Sequence, residues 1–268
     1  MFDSGFGGLT VARAVIDLLP GEDLVYIGDT GRYPYGPKPP EDVRRFAREL
    51  AWSLVKDHDV KVIIVACNTA AAAGLDELRD ALPVPVLDVV EPGASSLVTA
   101  TASGRAGVIG TVGTIASGAY VHAVDAAARA AERAVELTSA ACPGFVEFVE
   151  RGVTTGDEVT VLAERLLAPM RVADVDALLL GCTHYPFLAR VISDVMGHEV
   201  TLVSSADETA FAAHRLLADL GLLRGGSEPG RHRFLSSGDI HLFRELGGRL
   251  LGPELNHTEA WSPPATAP

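Results

Sequence analysis

The sequence predicts an α/β fold with parallel sheets in two similar halves, and three observations carry that expectation. Short apolar runs such as Val62-Ile-Ile-Val65 and Ala177-Leu-Leu-Leu-Gly181 have the length and unbroken hydrophobicity of strands buried on both faces. Between such runs lie stretches with apolar residues at helical spacing, for example Val43, Phe46, Leu50 and Leu54. The third observation is a duplication. Both runs feed directly into a cysteine followed by polar residues, Cys67-Asn-Thr69 in one half and Cys182-Thr-His184 in the other. Open α/β sheets take their ligands outside the carboxyl ends of the strands. Two equivalent strands therefore each bring a thiol to a ligand-binding position.

Composition narrows the function classes. A chain of 268 residues suits one large or two medium domains, and its net charge of −13 argues against a general nucleic-acid surface or an anionic membrane surface. Small anionic substrates stay open, because local donors and dipoles decide their binding. No apolar stretch approaches the ~18 residues of a membrane span, and the N-terminus lacks the basic and apolar regions of a signal peptide. A cytoplasmic location is expected. There the three cysteines would be reduced, so a structural disulfide is the weaker role for any pair.

Taken in order, Met1-Phe2 leads into Asp3-Ser-Gly-Phe-Gly-Gly8, and Leu9, Ala12, Val15, Ile16 and Leu19 then mark a helix. A glycine-rich turn that opens a helix offers backbone N–H groups and a positive dipole end to an anion. Capping that helix is an equally ordinary role for Asp3 or Ser4. Leu24-Val-Tyr-Ile27 is the next strand, ending at Gly28-Asp-Thr30. The loop from Gly31 to Pro40 is either a surface turn or a binding loop that proline stiffens. A helix from about Glu41 to His58 precedes the first cysteine strand, and another helix begins after Thr69. Pro83 to Leu87 forms a short strand, and Glu91-Pro-Gly93 closes the first half.

A second α/β run begins near Ala94. Gly107-Val-Ile-Gly110 is a strand entering the helix-opening loop Thr111-Val-Gly-Thr114, Ser117 to about Arg133 is helical, and Val135 to Leu137 is a strand. Cys142-Pro143 starts a loop, and Phe145 to Arg151 is a short helix carrying Glu147 and Glu150. A helix from Thr160 to Ala173 feeds the second cysteine strand, Pro186 to Met196 is helical, and Val200 to Val203 is the last strand of this half. The helix Asp207 to Leu220 returns the chain to the first half. Gly225 to Gly230 is a linker, Arg233 to Ser236 an edge strand, and Leu242 to Leu251 a final helix. The proline-rich end, Ser262 to Pro268, is expected to be disordered.

Four motifs in order carry a resemblance: Asp3-Ser-Gly-x-Gly-Gly8, the Tyr35-Gly36 loop, Ala66-Cys-Asn-Thr-Ala70 and Gly181-Cys-Thr-His-Tyr-Pro186. Together they make the chain, from Phe2 to about Gly252, similar to glutamate racemase of the aspartate/glutamate racemase superfamily. The resemblance implies two similar open-sheet α/β domains with the active site in the cleft between them. The corresponding division is 1–93 plus 207–261 as one domain and 94–206 as the other, with 262–268 a disordered tail. It also implies a cofactor-independent, metal-free racemase that makes D-glutamate from L-glutamate for peptidoglycan, in a homodimer. By motif matching, Cys67 and Cys182 take the two catalytic positions. Asp3, Ser4, Tyr35, Gly36, Asn68, Thr69, Thr183 and His184 take substrate-contact or supporting positions, with Asp3 and His184 counted among the catalytic set. Glu150 joins that set through the looser match Phe145-Val-x-x-Val-Glu150. The chain departs from the family at the N-terminus, where the family has a longer apolar strand before the aspartate, so a short first strand is expected. Some racemases of this kind are also said to inhibit DNA gyrase; with this net charge such an effect would act through the gyrase protein and not through DNA.

The chemistry stands without the name. Inverting an acidic C–H stereocentre needs a base on one face and an acid on the other, and a thiolate and a thiol from two equivalent halves meet that need. A free thiol with a pKa of ~8.5 is mostly protonated at neutrality, so each requires a nearby donor, dipole or base. The helix N-termini after Gly8, Thr69 and Thr183 are candidates for that help and for holding substrate carboxylates. His184 is the candidate proton partner of Cys182, and Asp3 that of Cys67. Pyridoxal phosphate would need a Schiff-base lysine, and of the lysines Lys38 lies in a proline-rich loop, Lys56 on a helix and Lys61 at a strand start, none at the end of a buried strand in a reactive setting.

Plainer readings stand beside these. Cys142 reads as a buried, inert thiol, His184 alone would read as structural, and Glu147 and Glu150 as a solvated helix face. Four rival functions remain: an aspartate or hydantoin racemase, a thiol redox protein, a zinc site of Cys67, Cys182 and His184, and a non-catalytic binding protein. The absence of a C-x-x-C pair speaks against redox work, and the C-x-H spacing is not a usual zinc signature.

Overall fold

The computed structural model describes residues 1–226 and 228–263, except for the side chains of Leu250, Pro253 and Asn256. The chain divides into two compact units, one made of Met1–Val89 together with the segment from Ala206 onward, the other of Val90–Ser205.

The first unit is built on a six-stranded sheet. Its strands are β1 (Phe2–Asp3), β2 (Leu24–Gly28), β3 (Ile63–Val65), β4 (Val86–Asp88), β9 (His232–Ser236) and β10 (Thr258–Ala260). They lie in the order β10-β9-β2-β1-β3-β4, and every neighbouring pair is parallel. The helices α1 (Leu9–Leu18), α2 (Pro40–His58), α3 (Asn68–Ala81), α11 (Ser205–Asp219) and α12 (Ile240–Leu251) alternate with the strands, as parallel pairing requires. Leu9, Ala12 and Val15 of α1 pack with Ala213 and Leu217 of α11, and Phe234 and Phe243 join the same core.

The second unit holds a four-stranded sheet of β5 (Arg105–Gly110), β6 (Glu136–Ala141), β7 (Ala177–Gly181) and β8 (Thr201–Val203). The order is β6-β5-β7-β8, again parallel throughout. Its helices are α4 (Val90–Ala100), α5 (Val112–Ala116), α6 (Ala119–Ala130), α7 (Phe145–Glu150), α8 (Asp157–Leu166), α9 (Ala168–Val172) and α10 (Ala189–Met196). Ile109, Leu178 and Leu180 from the sheet pack with Val159, Ala163 and Met170 from α8 and α9.

Each topology has a switch point at its cysteine strand. In the first sheet the chain leaves β1 toward β2 on one side and later returns to β3 on the other. In the second it leaves β5 toward β6 and returns to β7. The crevice at such a reversal is where open α/β sheets bind ligands. Cys67 follows β3 beside β1, and Cys182 follows β7 beside β5. Both thiols stand at switch points.

The elements differ from the sequence reading in several places. Glu91-Pro-Gly93 is not a break but the first turn of α4, where proline loses nothing because its N–H would be unsatisfied anyway. The helix expected from Ser117 begins at Ala119 as α6, after Gly118 with its positive φ of 72°, and the loop expected before it forms the short helix α5. The helix expected over 160–173 breaks at Leu167, just ahead of Pro169. Strand β6 runs on to Ala141, well past Leu137. Strand β9 is interior and not an edge, because β10, a strand with no apolar run, covers its outer side. Among the described residues no helix is long and apolar enough to cross a membrane. The disordered tail expected over 262–268 lies, from residue 264 on, outside the described residues.

Candidate active site

In the first unit, the loop after β1 folds back over the end of its own strand. Asp3 is fully buried, and its Oδ2 accepts the Gly8 N–H at 2.7 Å, so the carboxylate serves the N-cap residue of α1. The Ser4 hydroxyl lies 3.4 Å from Asp3 Oδ1. Tyr26 Oη approaches from β2, 3.2 Å from the Gly5 carbonyl oxygen and 3.5 Å from Asp3 Oδ2. Gly8 sits at the centre of this cluster. A Cβ there would stand 2.6 Å from Asp3 Cβ and 2.9 Å from both Tyr26 Oη and the Ala66 carbonyl oxygen.

Cys67 caps α3 itself: its Sγ accepts the Ala70 N–H at 3.4 Å. The helix therefore opens at Asn68 and not after Thr69, with Asn68 and Thr69 buried in its first turn. Burial, and then the charge of Asp3, push the Cys67 thiol well above its usual range. Donors from Ala70 and Ser4 work in the opposite direction. A proton on this sulfur is thus favoured at rest, and the groups a thiolate would need are already in place.

The Tyr35-Gly36 loop hangs on Asp29. This buried carboxylate receives Arg32 Nε at 2.7 Å, the Ser237 hydroxyl at 2.6 Å and the Tyr35 hydroxyl. The Tyr35 side chain is thus committed to Asp29, and the Tyr35 carbonyl accepts the Lys38 N–H at 3.0 Å. Lys61 pairs with Glu22 at 2.7 Å and Lys56 lies over the Trp52 ring at 5.0 Å, so both have structural partners.

In the second unit, a thiol, an imidazole and a carboxylate form a chain. Cys182 Sγ lies 3.9 Å from His184 Nδ1, and His184 Nε2 lies 3.4 Å from Glu150 Oε1. Cys182, Thr183 and His184 are buried, whereas the Glu150 side chain is partly open and the Glu147 residue is exposed. Glu150 is the last residue of α7, which presents it toward His184. The turn after Cys182 is held from below by Tyr185, whose hydroxyl donates to the Cys142 carbonyl at 3.1 Å and whose ring meets Phe145 edge-on. The α-helix expected from Pro186 is a single 3-10 turn, Tyr185–Leu188, with α10 beginning only at Ala189. Dipole support at Thr183 is correspondingly smaller than expected. Cys142 is buried, and desolvation together with nearby Cys182 pushes it up to about 12, which keeps it a neutral thiol.

The structure thus gathers Asp3, Ser4 and Cys67, with Asn68 and Thr69 next to them, in one unit, and Cys182, His184 and Glu150, with Thr183 beside them, in the other. Two residues were not singled out from sequence, Tyr26 and Asp29. A carboxylate at the end of a strand ahead of a binding loop is a readable signal for Asp29. Tyr26 becomes visible only once β1 and β2 are in register. All three cysteines are free, and among the described residues no group of three His, Cys, Asp or Glu is placed to hold a metal ion.

The family model described as Asp/Glu/Hydantoin racemase matches residues 9–213. The chain is 53% identical to the glutamate racemase of Parafrankia sp. (strain EAN1pec), over 100% of this chain and 95% of that protein. It is 48% identical to the glutamate racemase of Mycobacterium tuberculosis (strain ATCC 25618 / H37Rv), over 98% of this chain and 95% of that one. Among solved structures it resembles glutamate racemase from Francisella tularensis subsp. tularensis SCHU S4 in complex with D-glutamate. The TM-score is 0.90 and the identity 33%, covering 99% of this chain and 97% of that one. With a family model spanning most of its length and full-length relatives near half identity, the chain belongs to the Asp/Glu/Hydantoin racemase family, among its glutamate racemases.

Proposed function

We propose that this enzyme interconverts L- and D-glutamate without a cofactor, using Cys67 and Cys182 as two bases of opposite hand. What supports the reading is the repeated placement of a buried thiol at a sheet's switch point with a proton-handling neighbour: Asp3 for Cys67, His184 for Cys182. In one direction the Cys67 thiolate takes the α-proton and the Cys182 thiol returns one to the opposite face of the carbanion. The reverse reaction exchanges the two protonation states. Glu150, through His184, is the outer end of the relay on the Cys182 side. Asn68, Thr69, Thr183, Ser4 and the Tyr35-Gly36 backbone bind the substrate's carboxylates and ammonium group. The family relation further suggests that the product serves peptidoglycan, that the enzyme works in the cytoplasm as a homodimer, and that any effect on DNA gyrase acts through protein contact.

Aspartate racemisation is the second reading, because it uses the same pair of thiols; the 48–53% identity to glutamate racemases favours glutamate. The test follows optical rotation of L-glutamate, D-glutamate, L-aspartate and D-aspartate with no added cofactor and excess chelator. Decay of both glutamate signals to zero, with aspartate unchanged, is expected. Unchanged glutamate signals would overturn the reading, and decay of the aspartate signals alone would move it to the second substrate.

A further inference from the structure

We infer that Tyr26 is a positioning residue of the Cys67 half-site, its hydroxyl setting the Asp3 carboxylate against the thiol. The inference rests on the reading of Cys67 and Asp3 as one proton-transfer unit.

Tyr26 is fully buried on β2, one strand away from Asp3 on β1. The register Phe2↔Ile27 and Asp3↔Gly28 puts Tyr26 two residues below the partner of Asp3. In a parallel pair, facing residues point to the same side and the side-chain period is two. Tyr26, Gly28 and Asp3 therefore share one face of the sheet. Gly28 lets the Asp3 loop close onto that face: a Cβ there would stand 2.6 Å from the Gly5 carbonyl oxygen and 2.8 Å from the Phe243 ring. That close approach brings the Gly5 carbonyl within reach of the Tyr26 hydroxyl. Its ring is fixed from the other side by Phe234 and Phe243, with centroids at 6.2 and 6.3 Å.

A buried tyrosine hydroxyl needs a partner, and this one has two within reach, the Gly5 carbonyl at 3.2 Å and Asp3 Oδ2 at 3.5 Å. The Gly8 N–H already occupies Oδ2 at 2.7 Å. The phenol is thus a second donor that restrains both the loop and the carboxylate it carries. Asp3 in turn weighs on Cys67, since its charge is the largest influence on that thiol after burial. Without the phenol, the carboxylate and its loop lose one restraint on their place beside the thiol, so removing it slows proton transfer at Cys67 and leaves Cys182 untouched.

The test is Tyr26→Phe, read by primary isotope effects on kcat/KM with α-deuterated D- and L-glutamate. Isotope effects do not depend on the fraction of protein that is folded, so partial misfolding does not imitate the result. If Cys67 acts on the D isomer, slowing its transfer raises the effect with deuterated D-glutamate and lowers it with deuterated L-glutamate. Asp3→Asn, measured alongside, is expected to move both effects the same way. Loss of one hydrogen bond to a charged group corresponds to about a tenfold fall in kcat/KM. A fall in kcat/KM with both isotope effects unchanged, or no fall at all, overturns the positioning role. Matching shifts in Tyr26→Phe and Asp3→Asn but with the isomers exchanged support it, and correct only which enantiomer Cys67 serves.

Discussion

At Cys67 and Cys182 the same residue type works in two different surroundings. Cys67 lies beside a buried carboxylate and caps a helix, whereas Cys182 lies beside an imidazole that touches a half-exposed glutamate. The identities of Asp3, Ser4, Asn68, Thr69, Thr183 and His184 as candidates were legible in the linear motifs, because each adjoins a strand end. Tyr26 was not, since only strand register brings it to its partner, whereas Asp29 carries a strand-end signal whose partners the folded loop supplies. Thr183 offers a direct check on the substrate pocket. Thr183→Ala removes a hydroxyl expected to meet a charged group of glutamate, a loss of roughly 1.5–3 kcal/mol. KM for both enantiomers is expected to rise about tenfold or more, with a smaller change in kcat, in steady-state assays. Unchanged constants would remove Thr183 from the pocket.

Among the elements, apolar strands with helical periodicity between them were the readable part, and pairing decided the remainder. Strand β10 carries Thr258, Glu259 and Ala260, which no hydrophobic pattern marks, yet it covers β9, and the Trp261 N–H donates to the Ser236 carbonyl at 2.8 Å. The break between α8 and α9 and the start of α4 turned on single prolines. Strand β7, by contrast, was plain in the sequence, and its two ends do different work. Its carboxyl end delivers Cys182. Its amino end is fastened by Asp176, which takes the Ala102 N–H at 2.9 Å together with donors from Thr101 and Ser103. Burial alone would raise this carboxyl, but those donors prevail and hold it at about 2. A depressed folded pKa contributes stability that is full above the unfolded value of ~3.9 and is lost as pH falls through about 2. The group is partly exposed, and solvent screening holds the contribution to on the order of 1 kcal/mol. Asp176→Ala is expected to lower the unfolding free energy measured in urea at pH 7 by that amount, with the difference shrinking between pH 4 and pH 2 and turnover at pH 7 retained. A difference that stayed constant down to pH 2 would show that the carboxylate's charge is not what holds the end of β7.

The chain contains two units of related design, each with a cysteine at a place where its sheet reverses direction. If one thiol must be ionised while the other keeps its proton, neither extreme of pH suits the enzyme. Both sulfurs are thiols at low pH and both are thiolates at high pH, so kcat/KM is expected to be bell-shaped, its limbs belonging to the pair and not to either residue. A pH profile rising to a plateau without an alkaline fall would point to a single base. The most direct measurement of the two-base account is α-hydrogen exchange in deuterated water by Cys67→Ser and Cys182→Ser. A hydroxyl is close to a thiol in size but far less acidic, so each variant is expected to lose nearly all racemisation while folding normally. Each should still exchange the α-hydrogen of the enantiomer that faces its remaining thiolate: L-glutamate for Cys67→Ser and D-glutamate for Cys182→Ser. Opposite preferences in the two variants are the predicted result, and the same preference in both would contradict the two-base mechanism.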